Sequence, residues 1–169
     1  EDAERYKFAY RNTHPFVEKL WGDAGRVIAR LAGGPPMDWG PVHISDGKLF
    51  LPNGLFINYT TLEFYRDDDY GDSYWRMKTR RGWTKLYGAK LVENLIQALA
   101  RVFISQVMIR LVRSGYRIVN TKHDSQWILI PTDGKEQEHI RYIEHEMKTP
   151  PAWLPDIPLD AESSLGLRY

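Results

Sequence analysis

The chain has 169 residues, 43% hydrophobic and 13% aromatic, enough apolar surface to offset the entropy of ordering one domain, which excludes wholesale disorder. Its 23 Lys and Arg against 22 Asp and Glu leave a formal charge of +1, so no whole-molecule field announces a nucleic acid or a membrane and any charge argument is local. The absence of cysteine excludes disulfide scaffolds, thiolate metal sites and cysteine catalysis, and fits a reducing compartment.

The opening Glu1-Asp2-Ala3-Glu4-Arg5 has neither an initiator Met nor a signal pattern and reads as the internal start of a longer parent. Ala3 to Tyr10 suits a short helix ending near Asn12. Phe16, Val17, Leu20, Trp21, Ala24, Val27, Ile28 and Leu31 then recur at helical spacing, with Thr13 as expected N-cap and Pro15 in the first turn, until Gly33-Gly34-Pro35-Pro36 stops the helix. Three strands follow as a meander, Val42 to Ser45, Lys48 to Leu51 and Leu55 to Tyr59, turned by Asp46-Gly47 and Asn53-Gly54. Asp67-Asp68-Asp69-Tyr70-Gly71-Asp72 reads as a solvated acidic turn, since consecutive carboxylates diverge too much to share a metal, and Trp75 to Thr79 as its return strand. Gly88 to Gly115 bracket the longest helix, apolar around most of its circumference and so expected to be buried on several sides. A hairpin, Tyr116 to Thr121 and Gln126 to Ile130, has His123-Asp124 at its tip, and Glu136 to Met147 is helical again. The Pro-rich end from Pro150 is expected to run extended. No uninterrupted apolar run approaches the ~18 residues of a membrane span.

Three features carry chemistry. The long helix keeps one polar stripe, Lys90, Glu93, Asn94, Gln97, Arg101 and Ser105, and a helix that spends its remaining surface on a core presents such a line to something wet or charged. Lys78, Arg80, Arg81 and Lys85, interleaved with Trp75 and Trp83, form the one basic-aromatic cluster, which by itself is either a grip for backbone phosphates or a solvated loop. Asp124 is a carboxylate at a tip fixed by two strands, the kind of support that metal-assisted phosphoryl transfer requires. His139 and His145, six residues apart, do not share a helix face and make a poor zinc pair.

The run Trp83-Thr84-Lys85-Leu86-Tyr87-Gly88-Ala89-Lys90-Leu91-Val92-Glu93-Asn94, then Gln97-Ala98-Leu99-Ala100-Arg101, Gly115-Tyr116-Arg117-Ile118-Val119, His123-Asp124 and Pro151-Ala152-Trp153-Leu154-Pro155-Asp156-Ile157-Pro158-Leu159 together resemble the C-terminal palm region of family A DNA polymerases, above all their bacteriophage members. The resemblance is firm from Trp83 to Tyr169 and looser before it. It implies that Asp124 is one of two carboxylates that hold catalytic Mg²⁺, that His123 lies near a primer terminus, and that Gln97, Glu93 and Arg101, beside Lys90 and Asn94, line the primer-template, and it favours the phosphate grip for Lys78, Arg80 and Arg81. Two departures stand out. Lys122 and Ser125 flank His123-Asp124 where the family has Val-His-Asp-Glu. The family's first catalytic strand is absent, Asp69-Tyr70 being followed by Gly71-Asp72, and so are its fingers helix and its thumb.

The expectation is an α+β partial palm: a small antiparallel sheet, a long buried helix and flanking helices in a single domain, 1–169, with a helix-and-hairpin region over 1–82 and a core over 83–169. The implied partners are primer-template DNA, deoxynucleoside triphosphates and a complementary polymerase segment, in the host cytoplasm if phage-encoded and without a membrane. The competing reading is a non-catalytic DNA-binding or assembly module that retains the scaffold.

Overall fold

The computed structural model describes residues 2–66 and 71–166. Asp67, Asp68, Asp69 and Tyr70, the acidic part of the expected turn, lie outside them. The protein is α+β, with four helices and small antiparallel sheets among the described residues. The expected single sheet is three: a four-stranded, a three-stranded and a two-stranded one. The chain forms two compact units, Glu1–Ala98 and Leu99–Tyr169.

The first unit opens with α1 (Asp2–Thr13) and α2 (Pro15–Leu31). Thr13 is not the N-cap of α2. It ends α1, its Oγ1 donating to the Ala9 carbonyl at 2.8 Å, and His14 precedes α2 without a side-chain cap. Helix α2 is amphipathic and buries Ala24, Val27, Ile28 and Leu31, whereas α1 buries nothing. Strands β1 (Met37–Trp39), β2 (Val42–Ser45), β3 (Lys48–Phe50) and β4 (Phe56–Asn58) pair in sequence order. Asp46 (φ 50°) and Gly47 (φ 68°) form the two-residue turn between Ser45 and its partner Lys48, both with the positive φ of a type I′ hairpin. The turn at Asn53-Gly54 is looser than expected: five residues separate Phe50 from its partner Phe56, and only Gly54 has positive φ. Val42, Ile44, Leu49 and Tyr59 are buried together with Leu62, Leu86, Leu91 and Leu95.

Strands β5 (Glu63–Arg66), β6 (Ser73–Thr79) and β7 (Gly82–Leu86) make the second sheet in the order β5-β6-β7. Helix α3 (Gly88–Arg113) begins where Gly88 meets α2 so closely that a Cβ there would overlap the Trp21 carbonyl oxygen. By length and composition α3 is apolar enough to cross a membrane, although polar residues punctuate it and leave no uninterrupted apolar run. Its Leu91, Val92, Leu95, Val102, Val107 and Leu111 are buried in the protein's own cores. Its burial is less complete than the composition suggests, since Ile96, Ile109 and Val112 are at least half exposed.

In the second unit, β8 (Arg117–Lys122) and β9 (Ser125–Leu129) form the expected hairpin, with a bulge between Ile118 and Asn120. Helix α4 (Glu136–Lys148) follows, and Val107, Leu111 and Ile143 make a core covered by Phe103, Tyr116, Ile118, Ile128, Ile130 and Met147. Arg110 ties α3 to α4, donating to the Glu146 carboxylate at 2.5 Å and to its carbonyl at 2.6 Å. The Pro-rich end makes successive turns rather than an extended run: Leu154 N–H donates to Pro151 O and Ile157 N–H to Leu154 O. Trp153 anchors it by donating to Gln106 Oε1 at 3.1 Å.

Candidate nucleic-acid interface

In the second unit, Lys122 pairs with Ser125, which leaves His123 and Asp124 as a two-residue loop. His123 carries φ 56°, while Asp124 keeps negative φ, so only the first central residue is left-handed, as in a type II′ turn. A side chain other than glycine costs about 1 kcal/mol or more in that conformation. Asp124 is exposed and has no hydrogen bond or ion pair among the described residues. It has the chemistry of a Mg²⁺ donor, a hard anionic oxygen. Yet no cluster of three or more His, Asp or Glu side chains among the described residues could hold a metal ion, so these residues do not make a divalent-ion site by themselves.

Behind the tip, Gln126 buries both polar atoms of its amide without a partner among the described residues. His139 has a structural environment rather than a zinc-like one: its Nδ1 lies 2.9 Å from the Tyr116 hydroxyl and its Nε2 3.3 Å from Asp133 Oδ2. The Lys135 backbone N–H, with His139 second, holds the Asp133 carboxyl below its usual range. Burial, reinforced by Tyr142 and Asp133, pushes the Tyr116 hydroxyl up.

In the first unit, the α3 polar stripe divides by role. Lys90 Nζ donates to both Glu93 oxygens at 2.9 and 3.0 Å, and Gln97 Nε2 donates to Glu93 Oε1 at 3.4 Å, so these three form one intrahelical chain at the surface. Asn94 is turned to the interior, its Nδ2 donating to the hydroxyl of fully buried Tyr59 at 3.1 Å. It fastens α3 to the end of β4 through that N–H. Burial raises the Tyr59 hydroxyl pKa, partly offset by the Asn94 hydrogen bond. Arg101, counted in the second unit, is exposed and unpaired among the described residues.

The basic cluster is on the β5–β7 sheet. Arg80 and Arg81 are the two-residue turn between Thr79 and its partner Gly82. The Thr79 hydroxyl stitches that turn, accepting from Arg81 N–H at 3.2 Å and donating to Gly82 O at 2.9 Å. Lys78, Arg80 and Arg81 are exposed, and no carboxylate pairs with them among the described residues. Sequence reasoning missed Arg76, the most ordered cation of the sheet: it pairs with Glu63 at 2.6 Å and its guanidinium lies over Tyr65 and Trp83. The period-2 run Tyr74, Arg76, Lys78 was the available signal.

No protein-family model and no solved structure matches the chain. It is 27% identical over 169 residues to the DNA polymerase of Bacillus phage SP02, an alignment that covers 91% of this chain and 25% of the polymerase. The chain thus spans about a quarter of the length of the curated relative it matches, and it is similar to a segment of a phage DNA polymerase.

Proposed function

We propose that this chain is the C-terminal palm segment of a phage-type family A DNA polymerase. The parent reaction is template-directed nucleotidyl transfer, with Mg²⁺, primer-template DNA and deoxynucleoside triphosphates as cofactor and substrates. The observation that carries the reading is the similarity to the SP02 polymerase over nearly the whole chain, together with Asp124 at a two-strand tip with no competing partner among the described residues. Asp124 would supply one carboxylate toward the ions, with His123 beside it near the primer terminus. The other carboxylate, the fingers and the nucleotide site would come from a complementary or upstream segment, because in-line transfer with two ions needs them and the described residues bring no metal cluster. Gln97, Glu93, Lys90 and Arg101 on α3, with Lys78, Arg80 and Arg81, would position DNA through its backbone.

Binding and primer extension by the homogeneous 169-residue chain test this directly. The chain should bind primer-template DNA, more weakly as salt rises, and extend no primer. Template-dependent incorporation by the chain alone would overturn its incompleteness, and absence of any DNA binding would overturn its place in a polymerase.

A further inference from the structure

On one face of the β5–β7 sheet, aromatic and basic side chains alternate in register. Tyr65 stands opposite Tyr74, Arg76 stands between Glu63 and Lys85, and Lys78 stands opposite Trp83. The Tyr65 and Tyr74 ring centroids are 5.4 Å apart. The Arg76 guanidinium carbon lies 3.7 Å from the Tyr65 centroid and 4.4 Å from that of Trp83, and Lys85 Nζ lies 3.8 Å from the Tyr74 centroid. Glu63 cancels the charge of Arg76 and fixes its plane, so this guanidinium acts as a spacer that holds two rings in place. The remaining cations, Lys78 and Lys85 on the face and Arg80 and Arg81 at its end, have no carboxylate partner among the described residues. Trp83 remains 48% exposed.

We propose that this face is a platform for single-stranded nucleic acid: the half-exposed ring of Trp83 stacks an unpaired base on the face turned away from Arg76, while Lys78 and the Arg80-Arg81 turn hold phosphates. Charge selects a polyanion, and the ring selects which one. In a duplex the bases are already stacked on one another and offer a flat sheet only their phosphates, so the ring would have no use. An acidic polypeptide would likewise use the cations alone. Unpaired bases expose π faces that any ring accepts, which makes ring-plus-cation surfaces sequence-tolerant. A ring pre-set by Arg76 loses little freedom on binding.

This inference deepens the nucleic-acid reading above and does not involve Asp124. Failure of the full chain to bind any DNA would sink both, whereas equal affinity for single strand and duplex would sink only the platform. The test is fluorescence anisotropy of a labelled oligothymidylate and of a blunt duplex with the same number of phosphates, with poly-glutamate as competitor. The single strand should bind about tenfold tighter than the duplex or better. Trp83→Leu should weaken single-strand binding about fivefold or more, ~1 kcal/mol, while duplex binding stays unchanged, and Trp83→Phe should restore most of the loss. Replacing Lys78, Arg80 and Arg81 together by Gln changes only exposed positions, and should flatten the salt dependence of single-strand binding by about 0.7 log units per lost contact. The platform is overturned by a single-strand to duplex ratio near one, by an unaffected Trp83→Leu with an intact melt, by an unchanged salt slope, or by competition from poly-glutamate equal to that from DNA.

Discussion

Tyr59 and Asn94 show what a single contact does in this protein. The Tyr59 ring is fully buried and its hydroxyl accepts the Asn94 amide at 3.1 Å. Burial raises the folded-state pKa above the unfolded value of about 10. The neutral hydroxyl is the form the fold favours, so stability is undiminished below pH ~10 and is lost as pH rises past the unfolded value, where the unfolded chain ionises first. Tyrosinate absorbance and far-UV circular dichroism followed together in an alkaline titration should show one Tyr ionising only as the fold is lost, and Tyr59→Phe should abolish that coupled step. Ionisation of every Tyr before any loss of structure would contradict the burial argument. Helical spacing alone puts Asn94 in one line with Lys90, Glu93 and Gln97. It cannot reveal a partner 35 residues away, and only the tertiary contact separates the inward amide from its outward neighbours. Thr13 differs from expectation for a related reason: its hydroxyl suits an N-cap, but the Ala9 carbonyl one turn earlier claims it first.

At the scale of elements, the first unit depends on how closely two helices approach. Any Cβ at Gly88 would meet the Trp21 carbonyl, a backbone atom that cannot swing away as a flexible side chain would. Gly88→Ala should therefore lower the urea midpoint by an amount equivalent to about 3 kcal/mol or more, although alanine is the better helix former. A midpoint within the error of the parent would show that the helices move apart freely. Long periodic elements were legible from sequence: α2, α3 and α4 appear within a few residues of their expected ends, and the Asp46-Gly47 and His123-Asp124 turns fall where the turn chemistry puts them. The strands β1, β5 and β7 were not anticipated as separate elements. Each has only three to five residues and, unlike the equally short β2 to β4, none adjoins an Asp-Gly or Asn-Gly turn that would mark its end; each exists because a neighbouring strand offers it hydrogen bonds. The same pairing brings Tyr65 from β5 and Trp83 from β7 to Arg76, so the platform was legible only as a loose basic-aromatic cluster.

For the whole molecule, the proposed function joins the similarity to a quarter of the SP02 polymerase to the exposed Asp124: a carboxylate would be held ready for chemistry that other residues complete. An exposed loop position without partners among the described residues contributes little to folding, so Asp124→Asn should shift stability by no more than about 0.5 kcal/mol. On the proposed reading its charge would matter in catalysis. The most direct measurement is primer extension by a polymerase reconstituted from this chain and the complementary segment proposed above, comparing the parent with its Asp124→Asn variant, each alongside its thermal melt. The account predicts that extension falls by several orders of magnitude while the melt is unchanged, each tenfold loss corresponding to ~1.4 kcal/mol of barrier. Extension by the variant at the parental rate would contradict it, making Asp124 a turn former and the chain a DNA-binding module on a polymerase-like scaffold.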